Sequence, residues 1–378
     1  MKIIYCTHSL CNPGGMERVL VNKVTYLVNR LHWDVSIVTT DQKSRPVFYP
    51  LPEGVKTTDL GINYSDDNVK SPAEKILGYL KKKRKHKKLL SELLKREQAD
   101  IVVSLYPSES SFIPDIKDGS KKVLELHFCK FFRLQYGRNG LLGLIDKWRT
   151  WQDERIVRKF DKFVVLTNED KGYWGNLHNI EVIPNAAMNM SGHFSDVTSH
   201  RVIAVGRLDY QKGFDRLIQA WKLIQKSALY ADWHLDIFGQ GEWHDKLQEM
   251  INDLHLTNVH LNQPTNNIGN EYAQSSLIVM TSNYEGFGMV LVEAMACGVP
   301  AVAFDCKCGP KDIIDNNANG ILVHNGDIKK LADAMMKLMK DETLRKKMSE
   351  QAKKVVRTYS EEAVMDKWIH LFNSLNKQ

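Results

Sequence analysis

Two glutamates eight residues apart, Glu285 and Glu293, lie in the stretch "SNYEGFGMVLVEAMACGVP". Glu285 ends a loop after the apolar run "LIVMTS", and a helix is expected to begin within Phe287-Gly288-Met289-Val290. Glu293 falls inside that helix, among Val290, Leu291, Ala294, Met295 and Ala296, so it is a carboxylate in an apolar setting. Such a group needs donors. Sugar hydroxyls are good ones, and a backbone N–H or an arginine would serve as well. A second stretch, "VGRLDYQKGFDRLI", puts Arg207 and Lys212 five apart across a strand-to-helix turn. A guanidinium and an ammonium converging there suit a diphosphate; two solvated loop cations are the plainer reading.

The first turn of the chain, "CNPGGMERVL", carries Gly14 and Gly15 between a strand and a helix. Glycine lets a ligand approach the backbone, and a helix N-terminus adds free N–H groups; a tight structural turn has the same spacing. The dinucleotide fingerprint and the P-loop lysine are both absent. His127 ends the strand "KVLELHF", at the edge where open α/β sheets place ligand groups. Six cysteines in a chain of 378 residues form no disulfide framework, and no Cys/His set has zinc-site spacing. No D-x-D sequence occurs, so no metal ligand set is evident.

The elements that must position these residues alternate along the whole chain. "KIIYCTH", "DVSIVTT", "DIVVSLY", "KVLELHF" and "KFVVLT" read as buried strands, followed by "RVIAVGRL", "HLDIFG", "NVHLNQ", "LIVMTS", "PAVAFD" and "GILVH". Helical periodicity separates most of them, with Val19, Leu20, Lys23, Val24 and Leu27 near one face of the first helix. Apolar strands between helices imply parallel sheets covered on both faces. The expected architecture is α/β, two doubly wound units spanning 1–184 and 193–358, joined near "VIPNAAMNMSGHFSDVTSH". A last helix from Glu361 would place Trp368, Leu371, Phe372 and Leu375 on one face.

With these motifs in this order, the chain resembles the family-4 retaining glycosyltransferases of GT-B architecture, over nearly its full length. The carriers are "PGGMERV", "VGRLDYQKGFD", "EGFGMVLVEAMACGVPAVA" and "GPKDIIDNNANGILV". The resemblance implies two Rossmann-like domains facing across a cleft, with residues 360–378 crossing back onto the N-terminal one. It implies a nucleotide-sugar substrate, UDP-sugar favoured over GDP-sugar, and neither metal nor other cofactor. Arg207 and Lys212 would neutralise the diphosphate, helped by the backbone of Phe287 to Val290. Glu293 would accept from the ribose hydroxyls and Glu285 would hold the transferred sugar. Gly14 and Gly15 would let the first turn close over the phosphates, and His127 would hydrogen-bond the donor sugar. Lys307 and Lys311 depart from the smaller residues common there, which bears on the sugar pocket. Two rival readings are an epimerase of the same architecture and a catalytically silent tethering protein; the retained Arg207, Lys212, Glu285 and Glu293 set argues against the second.

The net charge of +7 is concentrated in one segment, because Lys75 to Gln98 holds ten Lys or Arg against Glu92 and Glu97. Between Lys81 and Lys88 every residue is Lys, Arg or His, which predicts two turns with no buried face. The run is read either as a solvated helix or as an interfacial segment, with Lys81, Lys82, Lys83, Arg84, Lys85, Lys87 and Lys88 on anionic lipid. Relatives that elongate lipid-linked glycans carry such a helix, so a lipid-linked or growing polysaccharide acceptor is expected, together with an anionic membrane surface. Interleaved aromatics are missing, so nucleic acid is not an expected partner. The short apolar N-terminus and the unpaired cysteines suggest a cytoplasmic protein peripheral on the inner membrane face.

Overall fold

A computed structural model of the chain describes residues 1–69, 71–134, 140–190 and 192–376. Lys377 and Gln378, the end of the expected closing helix, and Ser191, in the expected linker, lie outside the described residues.

Two compact units divide the chain. One comprises Met1–Val165, Trp174–Ile183 and Met365–Gln378, the other Leu166–Tyr173 and Pro184–Val364. The first holds seven strands: β1 (Lys2–Thr7), β2 (Asp34–Thr39), β3 (Lys56–Asp59), β4 (Ile101–Ser104), β5 (Lys121–Glu125), β6 (Lys162–Val165) and β7 (Ile180–Val182). They form one parallel sheet in the order β3-β2-β1-β4-β5-β6-β7. The second holds six: β8 (Arg201–Val205), β9 (His234–Phe238), β10 (Val259–Asn262), β11 (Leu277–Met280), β12 (Ala301–Phe304) and β13 (Gly320–Val323). Their order is β10-β9-β8-β11-β12-β13, again all parallel. Both sheets are doubly wound, and the order reverses beside β1 and beside β8, the points where open α/β sheets bind ligands.

The helices come in chain order. They begin with α1 (Gly15–Leu31), α2 (Pro72–Glu97), α3 (Gly140–Val157) and α4 (Asn168–Trp174). Next are α5 (Phe214–Ile224), α6 (His244–Asp253), α7 (Ile268–Ala273), α8 (Met289–Ala296) and α9 (Pro310–Ile313). The last are α10 (Ile328–Lys340), α11 (Glu342–Ala352), α12 (Val356–Tyr359) and α13 (Glu361–Asn376). Ser360 caps α13 by accepting from the Ala363 N–H at 3.2 Å. Trp368, Leu371, Phe372 and Leu375 are all buried, and Phe372 packs on Trp33 with ring centroids 6.2 Å apart. The closing helix therefore builds part of the first unit's core.

The basic run departs from expectation. Ser71 and Glu74 form a capping box that starts α2, and Pro72 occupies the first turn. His86, in the middle of the run, is buried, on the same stripe as Leu90, Leu93 and Leu94. Its ring meets Phe112 at 5.0 Å and its Nδ1 lies 3.2 Å from the Tyr64 hydroxyl. Burial pushes its pKa down to about 4, so at neutral pH it is an uncharged aromatic that can pack. Lys82 Nζ donates to the Asn63 carbonyl at 2.6 Å and pairs with Asp67 at 2.9 Å, and Lys85 Nζ donates to the Gly61 carbonyl at 3.0 Å. Two of the seven cations expected at a membrane are thus tied to the loop below the helix.

Candidate active site

In the second unit the strand-to-helix turn after β8 is shaped by close backbone approach. A Cβ on Gly213 would lie 2.5 Å from the Thr281 carbonyl oxygen, and that residue has φ +61°. One on Gly239 would lie 1.9 Å from the Gly206 oxygen. Gly206 makes room for the Lys212 stem, whose carbons would come within 3.0–3.1 Å of its Cβ. The stem therefore runs along the end of β8, and Lys212 Nζ reaches Glu285 Oε1 at 2.6 Å.

Glu285 is buried. Its Oε1 also accepts from the Ser282 hydroxyl at 2.6 Å, and its backbone N–H donates to the Lys307 carbonyl at 3.0 Å. Arg207 stands apart from this pair, two-thirds exposed, with Nη2 2.7 Å from Gln211 Oε1 and 3.1 Å from Asp209 Oδ2. Asp209 links the two cations, because its other oxygen accepts the Lys212 backbone N–H at 3.2 Å. The two candidate phosphate ligands share one loop, yet Lys212 is turned to a carboxylate and Arg207 to the loop's own acceptors.

Gly288, with φ +98°, precedes α8, whose first turn contains no acid. Glu293 is buried on α8, and together with burial it pushes the Cys297 thiol up to about 12. Burial, with Glu285 second, likewise raises Cys306. Both thiols stay protonated at neutral pH and are poor nucleophiles. Gly309, with φ +124°, would place a Cβ 2.0 Å from the Phe287 oxygen, so the loop before α9 lies directly on the start of α8. Lys311 in α9 lies 3.4 Å from Glu169, which also accepts the Cys308 N–H at 2.8 Å.

His127 lies in the first unit, just beyond β5, with its ring nitrogens buried and lacking a well-aligned hydrogen bond. Glu125 Oε1 lies 3.3 Å from its Nε2. Glu125 is held by Lys23 of α1, whose Nζ donates to its two oxygens at 2.5 and 2.6 Å. Lys23 itself is buried and lies 3.7 Å from the centre of the Trp368 ring. Burial opposes the Glu125 charge, but Lys23 and then His127 outweigh it and hold the carboxyl at about 2. Sequence reasoning singled out His127 and left Lys23 and Glu125 without a role. The available signals were an acid inside an apolar strand and a lysine on the apolar face of α1. In the first turn, Glu17 is buried against Gly14, and its Oε1 accepts from Asn12 Nδ2 at 3.4 Å.

Family comparison divides at the same place as the sheets. Residues 13–187 match the model of Glycosyltransferase Family 4, and residues 189–355 match that of Glycosyl transferases group 1. The amylovoran biosynthesis glycosyltransferase AmsD of Erwinia amylovora is 37% identical over 224 residues, covering 56% of this chain and 62% of that protein. A Campylobacter jejuni protein is 25% identical over 382 residues, covering 98% of each. It is named GalNAc-alpha-(1->4)-GalNAc-alpha-(1->3)-diNAcBac-PP-undecaprenol alpha-1,4-N-acetyl-D-galactosaminyltransferase. Among solved structures, Anabaena Alr3699/HepE in complex with UDP superposes with a TM-score of 0.74 at 18% identity, over 99% of this chain and 100% of that one. Two doubly wound parallel sheets, a matched model on each half and this structural likeness make the chain a member of the family-4, group 1 glycosyltransferases with the GT-B fold.

Proposed function

We propose that this protein transfers a sugar from a nucleotide-sugar, a UDP-sugar in the first place, to a glycan acceptor of the cell envelope, with retention and without metal. The carrying observation is the buried Lys212–Glu285 pair beside the acid-free N-terminus of α8. An arriving diphosphate gives Lys212 a stronger partner and frees the Glu285 carboxylate to accept sugar hydroxyls. Arg207, exposed on the same loop, swings from Asp209 to the phosphate at little cost. Two cations and a helix N-terminus then stabilise the charge that builds on the leaving group. The bond from the anomeric carbon to the diphosphate oxygen breaks, with the electron pair leaving on the phosphate. The acceptor hydroxyl bonds to the same face of the sugar, and its proton passes to the departing phosphate oxygen. Glu293 is assigned to the ribose hydroxyls and His127 to the donor sugar. The relatives' names support a growing polysaccharide or a lipid-linked glycan as acceptor. Of the seven cations expected there, Lys81, Lys83, Arg84, Lys87 and Lys88 are left for an anionic membrane.

Melting curves with UDP, GDP and ADP, with and without EDTA, test the donor assignment. A rise with UDP that EDTA leaves intact is expected. A rise that needs a divalent ion would remove the metal-free mechanism, and none with any nucleotide would remove the donor site. NMR of the product, showing the donor's anomeric configuration kept or inverted, decides retention.

A further inference from the structure

A buried line of polar side chains in the first unit ends at the ligand edge of its sheet. It runs from Lys23 of α1 to Glu125 at the end of β5 and on to His127 just beyond. Lys23 Nζ bonds the two Glu125 oxygens at 2.5 and 2.6 Å, and Glu125 Oε1 is 3.3 Å from His127 Nε2. The three side chains are 4%, 1% and 6% exposed. Trp368 of α13 lies over the ammonium, and the buried Tyr5 ring of β1 is centred 5.8 Å from it. Four elements therefore hold the carboxylate, which makes it a rigid support for the ring beside it.

The fold does not need this pair. Two apolar side chains of similar volume often fill such a position with equal or greater stability, because each buried charge must first leave water. An apolar pair cannot, however, accept a hydrogen bond. A neutral imidazole carries one N–H, and the acceptor beside one nitrogen decides which nitrogen holds it. Here the acceptor stands beside Nε2. The two are in contact without yet being aligned, as is common for catalytic hydrogen bonds before substrate arrives. Nδ1 is buried and bonded by no described residue, and a buried nitrogen in that state calls for a partner from outside the chain.

We propose that Glu125, clamped by Lys23, is a positioning residue for His127: it accepts the Nε2–H and so presents Nδ1 as a bare acceptor to a hydroxyl of the transferred sugar. The inference rests on the assignment of His127 to the donor sugar and adds the pair that orients the ring. Lys23 has its own part in this. Without the ammonium, burial would favour the protonated acid, which donates where the carboxylate accepts.

NMR of the full chain carrying ring-labelled histidine tests the orientation without substrate. The His127 signals are those that disappear in His127→Gln, and the expected pattern is a proton on Nε2 and none on Nδ1. A proton on Nδ1, with or without one on Nε2, would overturn the proposal. Two double variants separate orientation from stability. Lys23→Met with Glu125→Gln keeps an acceptor beside Nε2 in the amide oxygen, whereas Lys23→Met with Glu125→Leu removes it. The leucine variant is expected to be the more stable, since a buried amide leaves N–H groups of its own unpaired. It should nevertheless lose the Nε2–H pattern and about tenfold or more in kcat, with UDP affinity unchanged, because UDP carries no transferred sugar. The glutamine variant should keep the pattern and most of the turnover. Equal turnover in the two variants, or the Nε2–H pattern retained in the leucine variant, would overturn the proposal. The parent chain separates this from the reading beneath it. Sugar transfer by a parent whose Nδ1 is protonated removes the positioning role alone. An Nε2–H pattern that depends on Glu125, in a parent that turns over no nucleotide-sugar, removes the transferase reading alone.

Discussion

The N-termini of α1 and α8 both follow a glycine and both face the ligand edge of a parallel sheet, yet they are electrostatically opposite. The α1 end has an acid of its own: Glu17 is buried in the first turn, and its Oε2 would lie 2.1 Å from a Cβ at Gly14. The α8 end has no acid in its first turn. A resident carboxylate stabilises the positive end of a helix without any ligand, whereas an end lacking one leaves that stabilisation to a ligand anion. The same contrast extends outward. Around His127 the first unit supplies both members of a buried ion pair, Lys23 and Glu125, whereas Arg207 in the second unit is exposed and held by side chains on its own loop. At its ligand edge the first unit pairs Lys23 with Glu125 inside the fold, whereas the second leaves Arg207 exposed where a ligand can claim it. Removing a charge should therefore cost stability in the first and ligand binding in the second.

The largest effect follows from Lys23→Met. It leaves Glu125 buried without its ammonium, and breaking one partner of such a pair costs about 3–5 kcal/mol. Chemical denaturation should show that loss, and adding Glu125→Leu to the same chain should recover much of it. A full-size loss in the double variant would mean that the pair is not what holds the site.

Acid tests the same pair more gently. Glu125 titrates near 2 in the folded chain, below the ordinary carboxyl value of 4.5. Its ionised form therefore contributes stability that is complete above the ordinary value and lost as pH falls from there toward 2. The expected size is about 3 kcal/mol at most, from the width of that window. His86 acts above this range, because its depressed pKa makes stability fall as pH drops from its ordinary value of 6.5 toward about 4. Comparing His86→Phe with Lys23→Met across pH 2–6.5 separates the two: the first should flatten the upper part of the profile, the second the lower part.

These sites also show what a sequence makes legible. Both sheets could be read from it because their central strands are continuous apolar runs. β3 could not: its residues, "KTTD", are all exposed at the sheet edge and carry no hydrophobic signal. The glycine and acid motifs of the second unit could be read because their members lie within one turn or loop. The Lys23–Glu125 pair spans 102 residues, so no local spacing announces it. His86 was misjudged because residue type was taken for charge, and burial had removed the charge.

Arg207→Ala probes the second unit. Its side chain is exposed, so the melting temperature should stay near that of the parent. Donor affinity or turnover should fall by about a hundredfold, the usual result of removing one charge-stabilising contact at a reacting phosphate. A stability loss with unchanged turnover would reverse the contrast between the units and assign Arg207 to the fold.

Glu17→Gln is the smallest and most pointed change. It keeps the side chain's shape and removes the resident negative charge at the start of α1. If that charge is what stabilises this helix end, the variant loses about 0.3–1 kcal/mol, and the loss shrinks as salt is added. The same substitution unmasks the N–H groups behind Gly14 and Gly15, so UDP should bind the variant as tightly as the parent or slightly tighter. Glutamine at α1 would then make the first turn resemble the second unit's. Weaker UDP binding would show instead that Glu17 contributes to the donor site, and that the two helix ends are equivalent after all.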